Sequence, residues 1–117
     1  MSSLFECVKS KNMGQVFFST TEPGAIRGNH YHTGKIERFI IIEGSFCFQM
    51  RKIDTNQIIS FTGTANKNKA FIIDIPTFYT HSIRNSSNSK TLTTIFWANE
   101  FYNKENPDTF YLEVGNL

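Results

Sequence analysis

Three residues in the first third of the chain have the types and the spacing of metal ligands. His30 and His32 are separated by one residue, and Glu37 follows five residues after His32. Side chains alternate between the two faces of a β-strand, so two histidines at this spacing on one strand project from the same face. Imidazole and carboxylate groups bind zinc, iron, manganese or nickel, and the spacing does not choose among them. The pattern therefore predicts part of a metal site.

A scaffold of strands is needed to hold these residues together. The 117 residues are predicted to form one domain, 1–117. Short β-branched and aromatic runs are separated by turn signals, and no stretch of ten or more residues has a helical apolar period. This pattern predicts an all-β sandwich or barrel. The strand that carries the histidines is joined by predicted strands at 4–8, 14–21, 38–43, 45–51, 57–62, 70–75, 81–85, 90–97 and 110–114, with Gly44 as a turn. In 45–51, Phe46 and Phe48 alternate with Cys47, which predicts that both phenylalanines face the core, and the polar 98–108 segment is predicted to be irregular.

The composition argues against several classes of function. Twelve lysines and arginines nearly balance ten aspartates and glutamates, which leaves a net charge of +2 and predicts no nucleic-acid partner. No apolar run approaches the roughly 20 residues that span a bilayer, and the N-terminal residues do not resemble a signal peptide. Cys7 and Cys47 do not form a disulfide framework. We therefore expect reduced thiols in a cytoplasmic protein that has no membrane partner.

The remaining histidine, His81, lies in a second stretch with a characteristic spacing. From Gly24 to Gly44 the chain reads Gly-x5-His-x-His-x4-Glu-x6-Gly, which resembles the first motif of the cupin superfamily at every fixed position. From Pro76 to Asn85 it reads Pro-x-Phe-x2-His-x3-Asn, which resembles the second motif with phenylalanine in place of the usual glycine. The resemblance implies a double-stranded β-helix, an eight-stranded type of jelly roll. It also implies a divalent metal ion with four ligands: His30, His32, Glu37 and His81.

A narrower resemblance extends over nearly the whole chain. The stretches 27–32, 75–81, 96–100 and 105–109 are similar to the C-terminal cupin domain of the CapF family of bifunctional capsular polysaccharide enzymes. In that family the cupin binds zinc and epimerises C3 of a UDP-linked 4-keto-6-deoxy-N-acetylhexosamine, and a fused short-chain reductase then reduces the ketone with NADPH. The resemblance implies a nucleotide-sugar 3-epimerase or isomerase in capsular or surface polysaccharide biosynthesis. It favours zinc over manganese, iron and nickel.

The implied reaction needs groups that carry protons. An epimerase removes a proton from one face of the sugar and returns one to the other face. Tyr31 and Tyr79 flank the histidines, and Lys35 precedes Glu37, so these three are the predicted catalytic residues. On a regular strand Tyr31 points away from the metal, which places it below the other two. Tyrosine and lysine also serve purely structural roles in strands and loops.

The implied substrate also needs ligands on the protein. Guanidinium groups bind diphosphates through paired hydrogen bonds, and an asparagine amide can bind a sugar hydroxyl. The predicted substrate-binding residues are Arg27, Asn29, Arg38 and Arg84. As cupins of this type tend to be, we expect the chain to be a homodimer, working with a separate or fused short-chain reductase. No Gly-x-Gly-x-x-Gly stretch follows a strand in this sequence.

Two other interpretations remain open at this level. One is a cupin metalloenzyme of another chemistry, such as a dioxygenase, since four protein ligands leave open positions on an octahedral metal. The other is a module that binds a sugar or a metal ion without turnover. The fold alone does not decide between them. Zinc would argue against oxygen activation, whereas iron would favour it.

Overall fold

The fold consists of β-strands. The computed structural model describes residues 2–115, and this part of the chain contains nine strands and no helix. Met1, Asn116 and Leu117, at the ends of the predicted domain, lie outside the described residues. Within residues 2–115 there is accordingly no helix long and apolar enough to cross a membrane. The strands are β1 (Ser3–Ser10), β2 (Gly14–Thr21), β3 (Ile26–Tyr31), β4 (Glu37–Lys52), β5 (Ile58–Ala65), β6 (Phe71–Ile75), β7 (Tyr79–Asn85), β8 (Leu92–Ala98) and β9 (Phe110–Tyr111).

Strand β4 is 16 residues long and belongs to both sheets of the fold. Its first part pairs with β8 and β6, which gives a sheet in the order β1-β2-β8-β4-β6. Its second part pairs with β5 and β7, which gives a sheet in the order β5-β4-β7-β3-β9. Every pairing is antiparallel. The all-β jelly roll expected from the sequence is confirmed, with the short β9 in addition.

Gly44 is the point at which β4 passes from one sheet to the other. The sequence predicted a turn between two strands here, and that prediction was wrong. Gly44 has φ +110°, and the pairing of β4 with β8 shifts register between Ile41 and Glu43. A Cβ at position 44 would lie 2.9 Å from the carbonyl oxygen of Thr91. A glycine within a strand therefore marks a bend here, because a bulge needs the same backbone freedom as a turn.

The two sheets pack face to face on one apolar core. Phe46 and Phe48 in the second half of β4 are 1% and 0% exposed, as their alternation with Cys47 predicted. They form a single cluster with side chains from the first sheet, among them Ile41 and Leu92. Each fully buried side chain of this size contributes about 1.5–3 kcal/mol to stability. The core thereby fixes β4 and its neighbour β7, which carry two of the predicted ligands.

Candidate metal centre

The fold brings the four predicted ligands together. His30 lies in β3 opposite His81 in β7, Glu37 begins β4, and His32 directly follows β3. One imidazole nitrogen or carboxylate oxygen from each residue lies within 4.8 Å of the others. His32, Glu37 and His81 are buried, and His30 is half-buried. Residues that are 51 positions apart in the chain thus form one compact group of nitrogen and oxygen donors.

A bulge in β3 sets the position of His30. The pairing of β3 with β7 shifts register between Gly28 and His30, so that Asn29 has no partner across the pair. Both Gly28, at φ +107°, and Asn29, at φ +59°, adopt left-handed backbone conformations. Asparagine tolerates this region better than most residues. Continuous pairing from Gly28 and Ser82 would place Asn29 across from His81. The bulge places His30 there instead.

The contact between His32 and Glu37 requires a positive charge. His32 Nδ1 lies 2.6 Å from the carbonyl oxygen of Asp108, and His32 Nε2 lies 2.7 Å from Glu37 Oε1. A carbonyl oxygen only accepts hydrogen bonds, so Nδ1 is the nitrogen that donates there. In neutral His32 the lone pair on Nε2 would then face a carboxylate oxygen and repel it. The arrangement fits either a proton on Nε2 or a metal ion shared by the two groups.

His81 has a buried nitrogen without a hydrogen-bond partner. Its Nδ1 donates to the carbonyl oxygen of Tyr79 at 3.2 Å. Its Nε2 is fully buried, has no hydrogen-bond partner among the described residues, and lies 3.4 Å from Glu37 Oε1. An unsatisfied buried polar atom costs about 1–3 kcal/mol. A divalent ion would accept this lone pair, so the donor set fits a metal site.

Burial and neighbouring groups set the charges of the cluster. Burial by itself would raise the pKa of Glu37, but the hydrogen bond with His32 and the nearby His81 imidazole hold that pKa well below its usual range. Burial, reinforced by His81, lowers the pKa of His30 to about 4. At neutral pH the cluster therefore contains an ionised carboxylate and a neutral His30. These are the protonation states in which carboxylate and imidazole bind metals.

A cavity of about 490 Å³ opens onto this cluster from between the sheets. His30, Glu37 and His81 form part of its wall, together with the aromatic rings of Phe39 and Phe96. Apolar walls with a few polar groups are typical of small-molecule sites. The polar side chains beyond the cluster are those of Ser2, Ser19, Arg27 and Thr94.

Arg27 supplies the positive charge of this cavity. Its guanidinium donates to the hydroxyl of Ser19 and, at 3.4 and 3.5 Å, to the carbonyl oxygens of Ser3 and Thr20. None of these three acceptors is a carboxylate. Burial lowers its pKa, although an arginine stays charged. The cavity therefore combines a metal-binding donor set with a half-buried cation suited to an anionic group.

Comparison with known proteins shows the family to which the chain belongs. A family model described as the polysaccharide biosynthesis C-terminal domain matches residues 1–110. The chain belongs to this family. It is 37% identical over 110 residues to a Pseudomonas aeruginosa protein named UDP-2-acetamido-2,6-beta-L-arabino-hexul-4-ose reductase, a match that covers 94% of this chain and 29% of that protein.

Two solved structures add to this comparison. The crystal structure of the capsular polysaccharide assembling protein CapF from Staphylococcus aureus has a TM-score of 0.90 and 34% identity over 97% of this chain and 32% of CapF. The chain thus spans less than a third of the length of these relatives. A dTDP-4-dehydrorhamnose 3,5-epimerase from Elizabethkingia anophelis matches 83% of this chain and 54% of its own at 20% identity, with a TM-score of 0.67. It shares the fold.

The predicted substrate ligands of this family domain lie in different places. Of the four, only Arg27 lines the cavity at the cluster. Asn29 is bonded to the C-terminal segment: its Oδ1 accepts from the amide of Val114 at 3.2 Å. Arg38 forms a bidentate ion pair with Asp74, at 2.6 and 2.9 Å, and its side chain is 49% exposed. Arg84 is exposed on β7, on the face opposite to His81.

The three predicted catalytic residues lie in different environments near the cluster. Tyr79 shares a face of β7 with His81 and packs against the apolar core. Lys35 is only 7% exposed, and its charge is among the influences that lower the pKa of His30. Tyr31 stacks on Phe110 with ring centres 5.3 Å apart. None of the three is among the described residues that line the cavity at the cluster.

One residue beside the cluster was not among the predicted site residues. Asp108 contacts His32 through its main chain and the 33–35 turn through its carboxylate. The sequence predicted an irregular 98–108 segment that ends in an Asn-Pro-Asp turn signal. Such a signal indicates a bend in the chain but does not indicate which residues Asp108 contacts. Its partners are 73 to 76 positions away in the chain, so no local pattern could have identified them.

Proposed function

We propose that this domain is a metal-dependent epimerase that acts on C3 of a nucleotide-linked 4-keto-6-deoxy-N-acetylhexosamine in polysaccharide biosynthesis. The observation that carries the proposal is the unpartnered, buried Nε2 of His81 in a four-residue donor set that opens onto a cavity. Membership of the polysaccharide biosynthesis family and the names of the relatives support the substrate class. We propose zinc as the metal, because the histidine and carboxylate donors suit it.

The proposed chemistry assigns a part to each group. A divalent ion held by His30, His32, Glu37 and His81 would supply Lewis-acid stabilisation of the negative charge that develops on the C4 oxygen. Arg27 would bind the diphosphate, and the aromatic walls of the cavity would exclude water. We propose Tyr79 and Lys35 as the groups that accept the C3 proton and return one to the opposite face. Tyr31, stacked on Phe110, stays a predicted catalytic residue that ranks below these two.

The partners follow from the relatives. One relative is named as a reductase, and the chain matches only 29% of it, so we propose that a short-chain reductase, fused or separate, acts on the epimerised product. A cytoplasmic location stays a prediction. Asn29, Arg38 and Arg84 stay predicted substrate ligands that a bound nucleotide would have to reach from outside the cavity.

Proton exchange tests the proposed reaction directly. We expect deuterium from D2O to enter C3 of a UDP-linked 4-keto-6-deoxy-N-acetylhexosamine in the presence of the zinc-loaded domain, and to stop entering when a chelator removes the metal. Tyr79→Phe should slow exchange by about 100-fold or more while zinc stays bound, since a positioned acid or base contributes about 10²–10⁴-fold. Tyr111→Phe, at a side chain that is 73% exposed, is the control. NMR at the C3 proton measures both.

One observation favours a second function. Among the described residues, the lining of the cavity at the cluster includes no tyrosine or lysine. A module that binds the sugar nucleotide without turnover would need none. Binding of the sugar nucleotide, seen as line broadening of its NMR signals, without any deuterium at C3 would support this module and contradict the epimerase.

The predicted homodimer is part of the proposal. β1 pairs only with β2 among the described residues, so no other strand pairs with the N–H and C=O groups of its outer edge. Leu4, Phe5 and Val8 on this strand are 48%, 58% and 48% exposed. A second copy of the chain, paired antiparallel through its own β1, would satisfy both edges about one twofold axis and bury these side chains.

We expect Phe5→Lys to convert the dimer into a monomer, because it would bury an unpaired charge in the interface. Size-exclusion chromatography with light scattering measures the mass. Ile72→Lys, at a side chain 61% exposed on the edge strand β6, is the matched control and should leave the dimer intact. A monomeric wild-type domain, or a dimeric Phe5→Lys variant, would contradict the interface.

A further inference from the structure

The turn between His32 and Glu37 is shaped by a distant part of the chain. Four residues, 33–36, separate these two predicted ligands, so the conformation of the turn sets how the ligands meet. All four amide N–H groups of the turn donate to side chains of the 99–108 segment. Those of Thr33, Gly34 and Lys35 donate to Asp108, and that of Ile36 donates to Asn99.

Asp108 makes most of these contacts. Its Oδ1 accepts from the amide of Thr33 at 2.8 Å and from the Thr33 hydroxyl at 2.6 Å. Its Oδ2 accepts from the amides of Gly34 at 2.8 Å and Lys35 at 3.1 Å. Successive amides that converge in this way form an anion-binding concavity, and here a carboxylate of the same chain fills it. These bonds outweigh partial burial and lower the pKa of Asp108 to about 2.

The main chain of Asp108 contacts a predicted ligand itself. Its carbonyl oxygen accepts the hydrogen bond from His32 Nδ1 at 2.6 Å. Such a bond selects the tautomer of a histidine ligand and fixes the plane of its ring. Asp108 adopts φ +48°, a conformation that is uncommon outside glycine and that aspartate tolerates. One residue therefore holds the ligand turn with its side chain and orients His32 with its carbonyl group.

We propose that Asp108 is a positioning residue of the metal centre: by bonding the 33–35 turn it places its own carbonyl group to select the Nδ1–H tautomer of His32, and it thereby raises metal affinity. This inference rests on the proposed function for the part that concerns the metal. The hydrogen bond from His32 Nδ1 to the carbonyl oxygen of Asp108 is present in the metal-free chain and does not depend on it.

Substitutions at position 108 distinguish the contribution of the side chain from that of the main-chain carbonyl group. Asp108→Gly permits φ +48° and removes all four contacts of the carboxylate with the turn. Asp108→Asn keeps the shape but replaces one acceptor oxygen with an NH2 group, which cannot accept a hydrogen bond from the turn groups that it faces. Glu100→Ala is the matched control, because Glu100 and Asp108 both line the pocket beside the 33–35 turn, but the amides of that turn donate to Asp108 and not to Glu100. It tests whether loss of negative charge alone changes metal affinity.

Two readouts test the inference. We expect Asp108→Gly to weaken zinc binding by about 10–100-fold, Asp108→Asn to fall between it and the wild type, and Glu100→Ala to bind as the wild type does, since second-shell partners contribute on this scale. Competition with a chromophoric chelator measures the affinities, at a temperature where circular dichroism reports folded protein. In the metal-free protein, 15N NMR should detect the hydrogen-bonded proton on His32 Nδ1 in the wild type, whether or not Nε2 also carries a proton, and in Asp108→Gly this signal should be lost through exchange with water.

The outcomes separate this inference from the proposed function. A wild-type domain that binds no zinc would overturn the metal-dependent epimerase, and the Nδ1–H signal of His32 alone would then decide the role of Asp108. An unchanged Nδ1–H signal in both Asp108 variants would overturn that role. Equal losses of zinc affinity in Glu100→Ala and Asp108→Asn would also overturn it, because charge without geometry would then explain the effect.

Discussion

His81→Ala is expected to abolish metal binding while the two sheets still form. Nε2 of His81 is the one buried side-chain nitrogen without a hydrogen-bond partner in the described part of the chain. Its lone pair therefore accepts no hydrogen bond there and is free to bind a metal ion. Loss of a second-shell partner costs about 10–100-fold in metal affinity, and loss of a ligand should exceed about 100-fold. Elemental analysis and chelator competition measure the metal.

Stability provides an independent check of this prediction. Zinc should raise the melting temperature of the wild-type domain, because it binds the folded state, and should leave that of His81→Ala unchanged. Ser82→Ala, one residue along β7 and on its other face, should respond to zinc as the wild type does. His81→Cys should keep part of the affinity, because a thiolate also binds zinc. Full occupancy in His81→Ala would remove His81 from the ligand set.

Gly28→Ala is expected to cause the second large loss, in both stability and metal binding. A Cβ at Gly28 would lie 2.5 Å from the carbonyl oxygen of His81, and this backbone has φ +107°. The strands β3 and β7 would have to separate where His30 faces His81. Left-handed strain costs about 1–3 kcal/mol and overpacking about 1–3 kcal/mol, so the free energy of unfolding should fall by about 2–6 kcal/mol. Urea unfolding measures the change.

Gly24→Ala is the matched control for this substitution. Gly24 also has a left-handed backbone, with φ +77°, but a Cβ there would have no atom within 4 Å. It should therefore show the strain without the clash, and it should bind zinc as the wild type does. If Gly24→Ala and Gly28→Ala lose the same stability and both retain zinc, the close approach of β3 to β7 does not control the site.

The sequence predicted much of the framework because strands have local signals. Alternation of Phe46 and Phe48 with Cys47 predicted which side chains enter the core, and the structure confirms this burial. The same local information misplaced Gly44, because a glycine within a strand signals backbone freedom without saying whether the chain reverses or continues. The predicted strand 110–114 is reduced to Phe110–Tyr111, since the amides of Leu112 and Val114 bond instead to Asn29.

For the site as well, some predictions could be made from local signals and others needed the tertiary structure. Spacing named three donors and the cupin resemblance added His81, and the fold places all four within 4.8 Å of one another, because the motif encodes a register between strands as well as residue types. Spacing near the histidines did not separate Arg27, which lines the cavity, from Arg38, which pairs with Asp74 on the surface. Both are cations within eight residues of a histidine. They differ only in whether the face of the strand from which the side chain projects is turned toward the cavity or toward the surface.

By itself, the sequence determined the all-β class, the four donors and the family resemblance, since each rests on residue types at short, fixed separations. Only the tertiary structure decided that β4 joins both sheets, that His81 has an unsatisfied nitrogen, and that Asp108 holds the turn between two ligands. These features depend on contacts between residues far apart in the chain. Such contacts form when the sheets close on their common core, and no local pattern specifies them.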